Sequence, residues 1–140
     1  MRVVLDTSVV VAGLRSSAGA SGAVLRQLGQ GKFQIAASPA LFLEYEQVLK
    51  RSVHRLPPDH VDGFLAELAK IIKPVQIRYM WRPQLTDPDD EMVFDAAING
   101  QVEALVTHNI RDFEQAARRF GIRVCTPTEL LWTLRRKKVK

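Results

Sequence analysis

The chain has 140 residues, 46% of them hydrophobic and 25% charged, enough for one domain with a sizeable core. No run approaches the ~18 uninterrupted apolar residues of a membrane span, and the first residues lack the basic segment, apolar stretch and cleavage site of a secretory signal. A cytoplasmic protein with no membrane attachment is therefore expected. One cysteine, Cys125, and three histidines exclude an internal disulfide and a thiolate zinc site. The net charge of +5 is concentrated: Arg135, Arg136, Lys137, Lys138 and Lys140 make residues 135–140 a basic tail, and residues 1–134 hold equal numbers of acidic and basic side chains.

In chain order, Arg2-Val3-Val4-Leu5-Asp6 reads as a buried strand that delivers a carboxylate to its C-terminal edge. It runs on through Thr7-Ser8 into Val9-Val10-Val11-Ala12-Gly13-Leu14, and residues 16–22 form a loop of small residues. A helix is expected over 23–29, stopped by glycine, and a second strand over 33–36. Ser38-Pro39 offers an N-cap and a proline at the first helical position, opening a helix to about residue 52. Pro57-Pro58 interrupts the pattern before a helix over 59–72 with Val61, Phe64, Leu65, Leu68 and Ile72 on one face. A third strand is expected at 75–77.

The loop at 82–88 starts a helix to about residue 99. A fourth strand is expected at 104–106, a loop and helix at 109–120, and a fifth strand at 122–125. Thr126 with Glu129 forms a capping box that opens the last helix. Strands alternating with helices through short connections predict a parallel sheet covered on both faces. In such sheets the crevice lies at the carboxyl ends of the strands, where strand order reverses.

Helical geometry sorts the acids. With Asp87 at 0°, Val93, Ala97, Phe94 and Ile98 span an arc from about 240° to about 20°, and Asp90 falls near 300°, in its middle. Asp89 and Asp95 fall outside the arc and are expected in solvent. On the helix from Pro39, Glu44 borders the buried face and Glu46 faces water. Capping alone accounts for Asp87; it does not account for an inward Asp90, because a carboxylate on an apolar face is costly unless something pairs with it. The fourth strand is followed by Thr107, His108, Asn109 and Asp112, polar groups placed to reach the crevice or to cap the next helix.

Val4-Leu5-Asp6-Thr7-Ser8, Ser38-Pro39 leading to Glu44-Tyr45, Thr86-Asp87-Pro88-Asp89-Asp90, and Leu105-Val106-Thr107-His108-Asn109-Ile110-Arg111-Asp112-Phe113 together resemble the PIN domain. They are most similar to the VapC-like toxin components of toxin-antitoxin systems. The resemblance implies a three-layer α/β/α PIN-like fold with a central, mainly parallel five-stranded sheet, a single domain over residues 1–134 and a basic tail at 135–140. It implies a ribonuclease with an acidic Mg²⁺ or Mn²⁺ pocket. Asp6, Glu44, Asp90 and Asp112 match the catalytic acids; Asp6, Asp90 and Asp112 would ligate metal; Ser8, Thr107 and Asn109 would orient water or phosphate.

Hard oxygen ligands suit Mg²⁺, which keeps several waters, and a pair of ions ~4 Å apart suits in-line displacement at phosphorus. Arg15, Arg82, Arg111 and the tail are candidates for holding the RNA backbone. The implied partners are RNA, a cognate antitoxin that occupies the crevice, and a second copy of the chain. Asn109 stands where many PIN domains carry an Asp, so the same residues also allow a catalytically impaired RNA- or protein-binding module. A haloacid-dehalogenase-type phosphatase, which needs an acid two residues after the first Asp, is excluded by Ser8, and only Asp6 fits the acidic set of a phosphorylated receiver domain.

Overall fold

Strand β1 (Arg2–Leu5) is the spine of the molecule: Val3, Val4 and Leu5 are each fully buried. Consecutive residues of a strand face opposite sides, so a run with every position buried requires cover on both faces. Strand β4 (Ala104–Val106) repeats the pattern beside it. In this computed structural model, which describes residues 1–139 and the side chains of 1–136, five parallel strands form one sheet in the order β3-β2-β1-β4-β5. The remaining strands are β2 (Gln34–Ala37), β3 (Lys73–Pro74) and β5 (Arg123–Cys125). Helices cover both faces, giving the three-layer α/β/α arrangement.

The helices are α1 (Thr7–Arg15), α2 (Ala20–Arg26), α3 (Pro39–Leu49), α4 (Pro58–Ile71), α5 (Glu91–Asn99), α6 (Ile110–Arg119) and α7 (Pro127–Val139). Helix α5 packs on β1, β2 and β4 and against α3, while α2 packs against α1 and α7. Two expected caps are present. Ser38 Oγ accepts from the Leu41 amide at 3.1 Å, and Thr126 and Glu129 exchange reciprocal hydrogen bonds of 3.0 and 3.1 Å. No single helix among the described residues is long and apolar enough to cross a membrane.

One unassigned segment is placed and three local expectations are corrected. Val9-Val10-Val11, a β-branched run for which no helix was expected, lies inside α1 with all three residues buried; tertiary burial overrides their modest helix propensity. The small residues at 16–22 are not all loop, because α2 begins at Ala20 and ends at Arg26 rather than near residue 29. A Cβ at Gly22 would come within 2.6 Å of the Ser16 and Ser17 carbonyl oxygens, and one at Gly13 within 2.4 Å of Leu25, so the small residues allow α1 and α2 to cross closely. Helix α3 stops at Leu49 and a 3₁₀ turn, Ser52–His54, follows. The third strand lies at 73–74 rather than 75–77, where Pro74 is tolerated on an edge.

The chain order β1, β2, β3 runs to one side and β4, β5 to the other, so the switch point falls between β1 and β4. Their register, Leu5 opposite Val106, sets Asp6 beside Thr107 at the carboxyl end. The basic segment expected at 135–140 begins within α7, with Arg135 and Arg136 exposed; the side chains of 137–139 and all of residue 140 lie outside the described residues.

Candidate active site

Asp6 is the floor of the site. Its amide donates to the Val106 carbonyl at 2.9 Å, extending the β1–β4 ladder by one step, and its side chain is only 5% exposed. Oδ2 accepts from Ser8 Oγ at 2.8 Å and from Thr107 Oγ1 at 2.7 Å. One oxygen is therefore fixed from both sides, and Oδ1 has no hydrogen bond from the described residues. Thr107 is itself buried and accepts from the Asn109 amide at 2.9 Å. Ser8 and Thr107, expected to orient water or phosphate, donate their hydroxyl protons to Asp6.

Beneath Asp6, fully buried Tyr45 donates its phenol proton to the Leu5 carbonyl at 2.5 Å. Burial, and then the charge of Asp6, pushes that phenol well above its usual range, so it stays a donor at any ordinary pH. Tyr45 pins the peptide that presents Asp6. The helical spacing of α3 marks it only as a core residue.

Asp90 enters from the other side, at the start of α5. Asp87 caps the preceding 3₁₀ turn, Pro88–Asp90, by accepting from the Asp89 amide at 2.9 Å. Asp90, by contrast, makes no side-chain capping hydrogen bond and lines a cavity of about 460 Å³ together with Asp6, Ser8, Glu44, Asp89 and Asn109. Its carboxyl is pushed up to about 6, first by burial and then by the charges of Asp6, Asp87, Asp112 and Asp89. Asp112 is exposed in the first turn of α6 and is not among the residues lining the cavity, so it acts on Asp90 through its field. The structure thus brings Asp6, Glu44, Asp90 and Asn109 to one cavity and leaves Asp112 at its margin.

Among the described residues no three His, Cys, Asp or Glu side chains form a closed cage for an ion. The donor set fits a hard divalent cation of a different kind: Mg²⁺ binds through one or two carboxylates and keeps its remaining waters. Asp6, with one oxygen anchored and one free, and Asp90, whose repulsion by neighbouring acids a cation would relieve, are the groups suited to it.

The basic side chains at the cavity match the expected set only in part. Arg15 lines the cavity, and so do Arg51 and His54, which no sequence pattern marks. Arg82 is turned away, its guanidinium bonded to Asp95 at 2.6 and 2.9 Å, and Arg111 is exposed outside the cavity lining. Asp95, expected in solvent, is buried because residues 78–85 pass over that side of α5, a cover that a helical wheel omits. Glu91, Asp95 and Asn99, four residues apart, hold this strap. Glu91 Oε1 accepts from the Gln84 and Leu85 amides at 2.7 and 2.8 Å, and Asn99 Oδ1 accepts from the Arg78 and Tyr79 amides at 2.8 and 2.9 Å. His108 meets Ser21 Oγ at 2.8 Å, tying the loop after β4 to α2.

A separate groove of about 380 Å³, lined by Phe42, Leu43, Ala69 and Ile72 among others, is almost wholly apolar. It carries no titratable group.

Compared with known proteins, residues 2–111 match the family profile described as PIN domain. No curated protein matches the chain in sequence. Among solved structures, the fold is similar to a chain in the crystal structure of VapBC2 from Rickettsia felis bound to a DNA fragment from their promoter. The TM-score is 0.59 at 15% identity, covering 90% of this chain and 98% of that one; at that identity the likeness is one of fold.

Proposed function

The chain belongs to the PIN-domain family, and from that premise we propose that it is a divalent-metal-dependent ribonuclease, the VapC-like toxin of a toxin-antitoxin pair. One observation carries the reading: Asp6 and Asp90, distant in sequence, line one cavity at the switch point of the sheet, and the Asp90 carboxyl is pushed up to about 6 by burial and crowding of acids. A carboxylate cluster that repels itself is stabilised by a divalent cation, and Mg²⁺ or Mn²⁺ are the hard ions it suits.

In this proposal Asp6 and Asp90, with Asp112 from the margin, hold the ion. A divalent ion there supplies Lewis-acid stabilisation of the charge that builds on the phosphate. Ser8 and Thr107 hold Asp6 in one rotamer, so its free Oδ1 stays aimed at the ligand. Tyr45 fixes the backbone beneath it. Glu44, on α3, offers a further carboxylate acceptor to water in the cavity, and the Asn109 amide offers donors to a phosphate oxygen. The partners belong to the proposal too: an antitoxin over the acidic cavity and a second copy of the chain, the first in keeping with the VapBC2 complex from which the similar fold comes.

Cleavage of RNA by the purified chain tests the reading. It is expected with Mn²⁺ or Mg²⁺, to stop on chelation, and to vanish in both Asp6→Ala and Asp90→Ala; cleavage that persists in either variant contradicts it.

A further inference from the structure

Two arginines and a histidine border the acidic cavity without pairing to it. Arg15 ends α1, Arg51 precedes the 3₁₀ turn and His54 is its last residue, and all three line the same cavity as Asp6, Glu44, Asp89 and Asp90. Among the described residues neither the Arg15 nor the Arg51 side chain has an ion pair or hydrogen bond. His54 Nδ1 is buried with no hydrogen-bond partner. Both guanidiniums share a cavity with four carboxylates and pair with none.

The backbone that carries Arg51 and His54 is a constrained turn. The His54 amide bonds the Arg51 carbonyl and the Arg55 amide bonds the Ser52 carbonyl, each at 3.1 Å. Arg55 follows the turn in the left-handed region at φ 54°, a conformation that disfavours a non-glycine residue and so fixes the path of the chain there. The turn thereby sets Arg51 and His54 on one rim of the cavity.

A cavity with acids on one wall, and two unpaired arginines and an unpartnered imidazole nitrogen on the rim, suits a ligand that presents a cation-bridged anion to the first and a bare anion to the second. Its volume, about 460 Å³, is in the range that encloses a ligand much larger than one phosphate group. Arginine meets phosphate with two parallel hydrogen bonds, and an acidic wall alone would repel a polyanion. We propose that Arg51 and His54, assisted by Arg15, form a phosphate subsite for the backbone phosphate next to the scissile one, so that the cavity takes a single nucleic-acid strand across its rim. This rests on the nuclease reading and adds residues that the carboxylate motifs do not indicate.

The test is the affinity of the full chain for a short fluorescent single-stranded RNA, measured in chelator across a salt series, with Mn²⁺ binding measured separately by calorimetry. Arg51→Gln is expected to weaken RNA binding about 3- to 10-fold and to reduce the slope of log affinity against log salt by about 0.7, the share of one neutralised phosphate. His54→Gln is expected to weaken binding in the same direction, and Mn²⁺ affinity stays unchanged in both. Arg78→Gln, an exposed cation on the strap, should leave the slope alone. An unchanged slope in Arg51→Gln overturns the subsite even if the chain cleaves RNA; a reduced slope in a chain without metal-dependent cleavage upholds the subsite and removes the nuclease reading.

Discussion

Thr107 Oγ1 donates a 2.7 Å hydrogen bond to Asp6 Oδ2 and accepts one of 2.9 Å from the Asn109 amide. A single hydroxyl thus joins the ends of β1 and β4 and orders the loop that carries Asn109. Removing it leaves a buried carboxylate oxygen with one donor fewer. Thr107→Val should cost roughly 1–3 kcal/mol by urea unfolding and cut RNA cleavage, while Thr107→Ser, which keeps the hydroxyl, should retain most of both. Equal stability of the Val variant and the parent would show that Ser8 alone holds Asp6.

The Asp90 carboxyl has a folded-state value of about 6, raised from 3.8. A raised carboxyl favours folding while protonated, so its contribution is complete below about pH 4 and is lost as pH rises through about 6. Without metal, Asp90→Asn should therefore match the parent at low pH and exceed it by about 1 kcal/mol at pH 7.5, a figure reduced for solvent screening. Thermal melts in chelator check this. Added Mn²⁺ should reverse the order by stabilising only the parent.

The strap over residues 78–85 depends on Glu91, Asp95 and Asn99. Asn99 makes three hydrogen bonds to it, to the Arg78 and Tyr79 amides and to the Tyr79 carbonyl. Asn99→Ala should cost about 2 kcal/mol and expose the strap to limited proteolysis ahead of the rest of the chain. Asp95→Ala, which leaves Arg82 without its partner, should do the same. Cleavage at another site first would separate the strap from these anchors.

Deleting residues 135–140 removes five cations. If they hold RNA, the salt dependence of binding should flatten by up to about 3.5 in slope, roughly 0.7 for each phosphate that is no longer neutralised. A slope equal to that of the full chain excludes the tail from RNA binding.

The alternation of strands and helices was legible because both central strands are buried on two faces, leaving continuous apolar runs ended by Asp6 and Thr107. Asp90 was legible from one helical angle, although the residue sits at the end of a 3₁₀ turn that caps α5 rather than inside a longer helix. What escaped depends on how distant segments pack together. Val9 to Val11, a β-branched run, carry no helical signal of their own, and only their burial in α1 accounts for the helix. Asp95 and Glu91 look solvent-facing or unremarkable until the strap covers them. Arg51 and His54 reach the cavity only through the turn after α3, and no periodicity encodes that turn. The partial clue was Pro57-Pro58, which shows that α3 cannot run on into α4.

The central claim is that Asp6 and Asp90 share a divalent cation, and it is tested most directly by the anomalous scattering of Mn²⁺ soaked into crystals of the chain. A peak is expected in the acidic cavity with Asp6 and Asp90 as its nearest carboxylates, abolished in Asp6→Asn. A peak bound elsewhere, or a cavity that stays empty at saturating Mn²⁺, would contradict it.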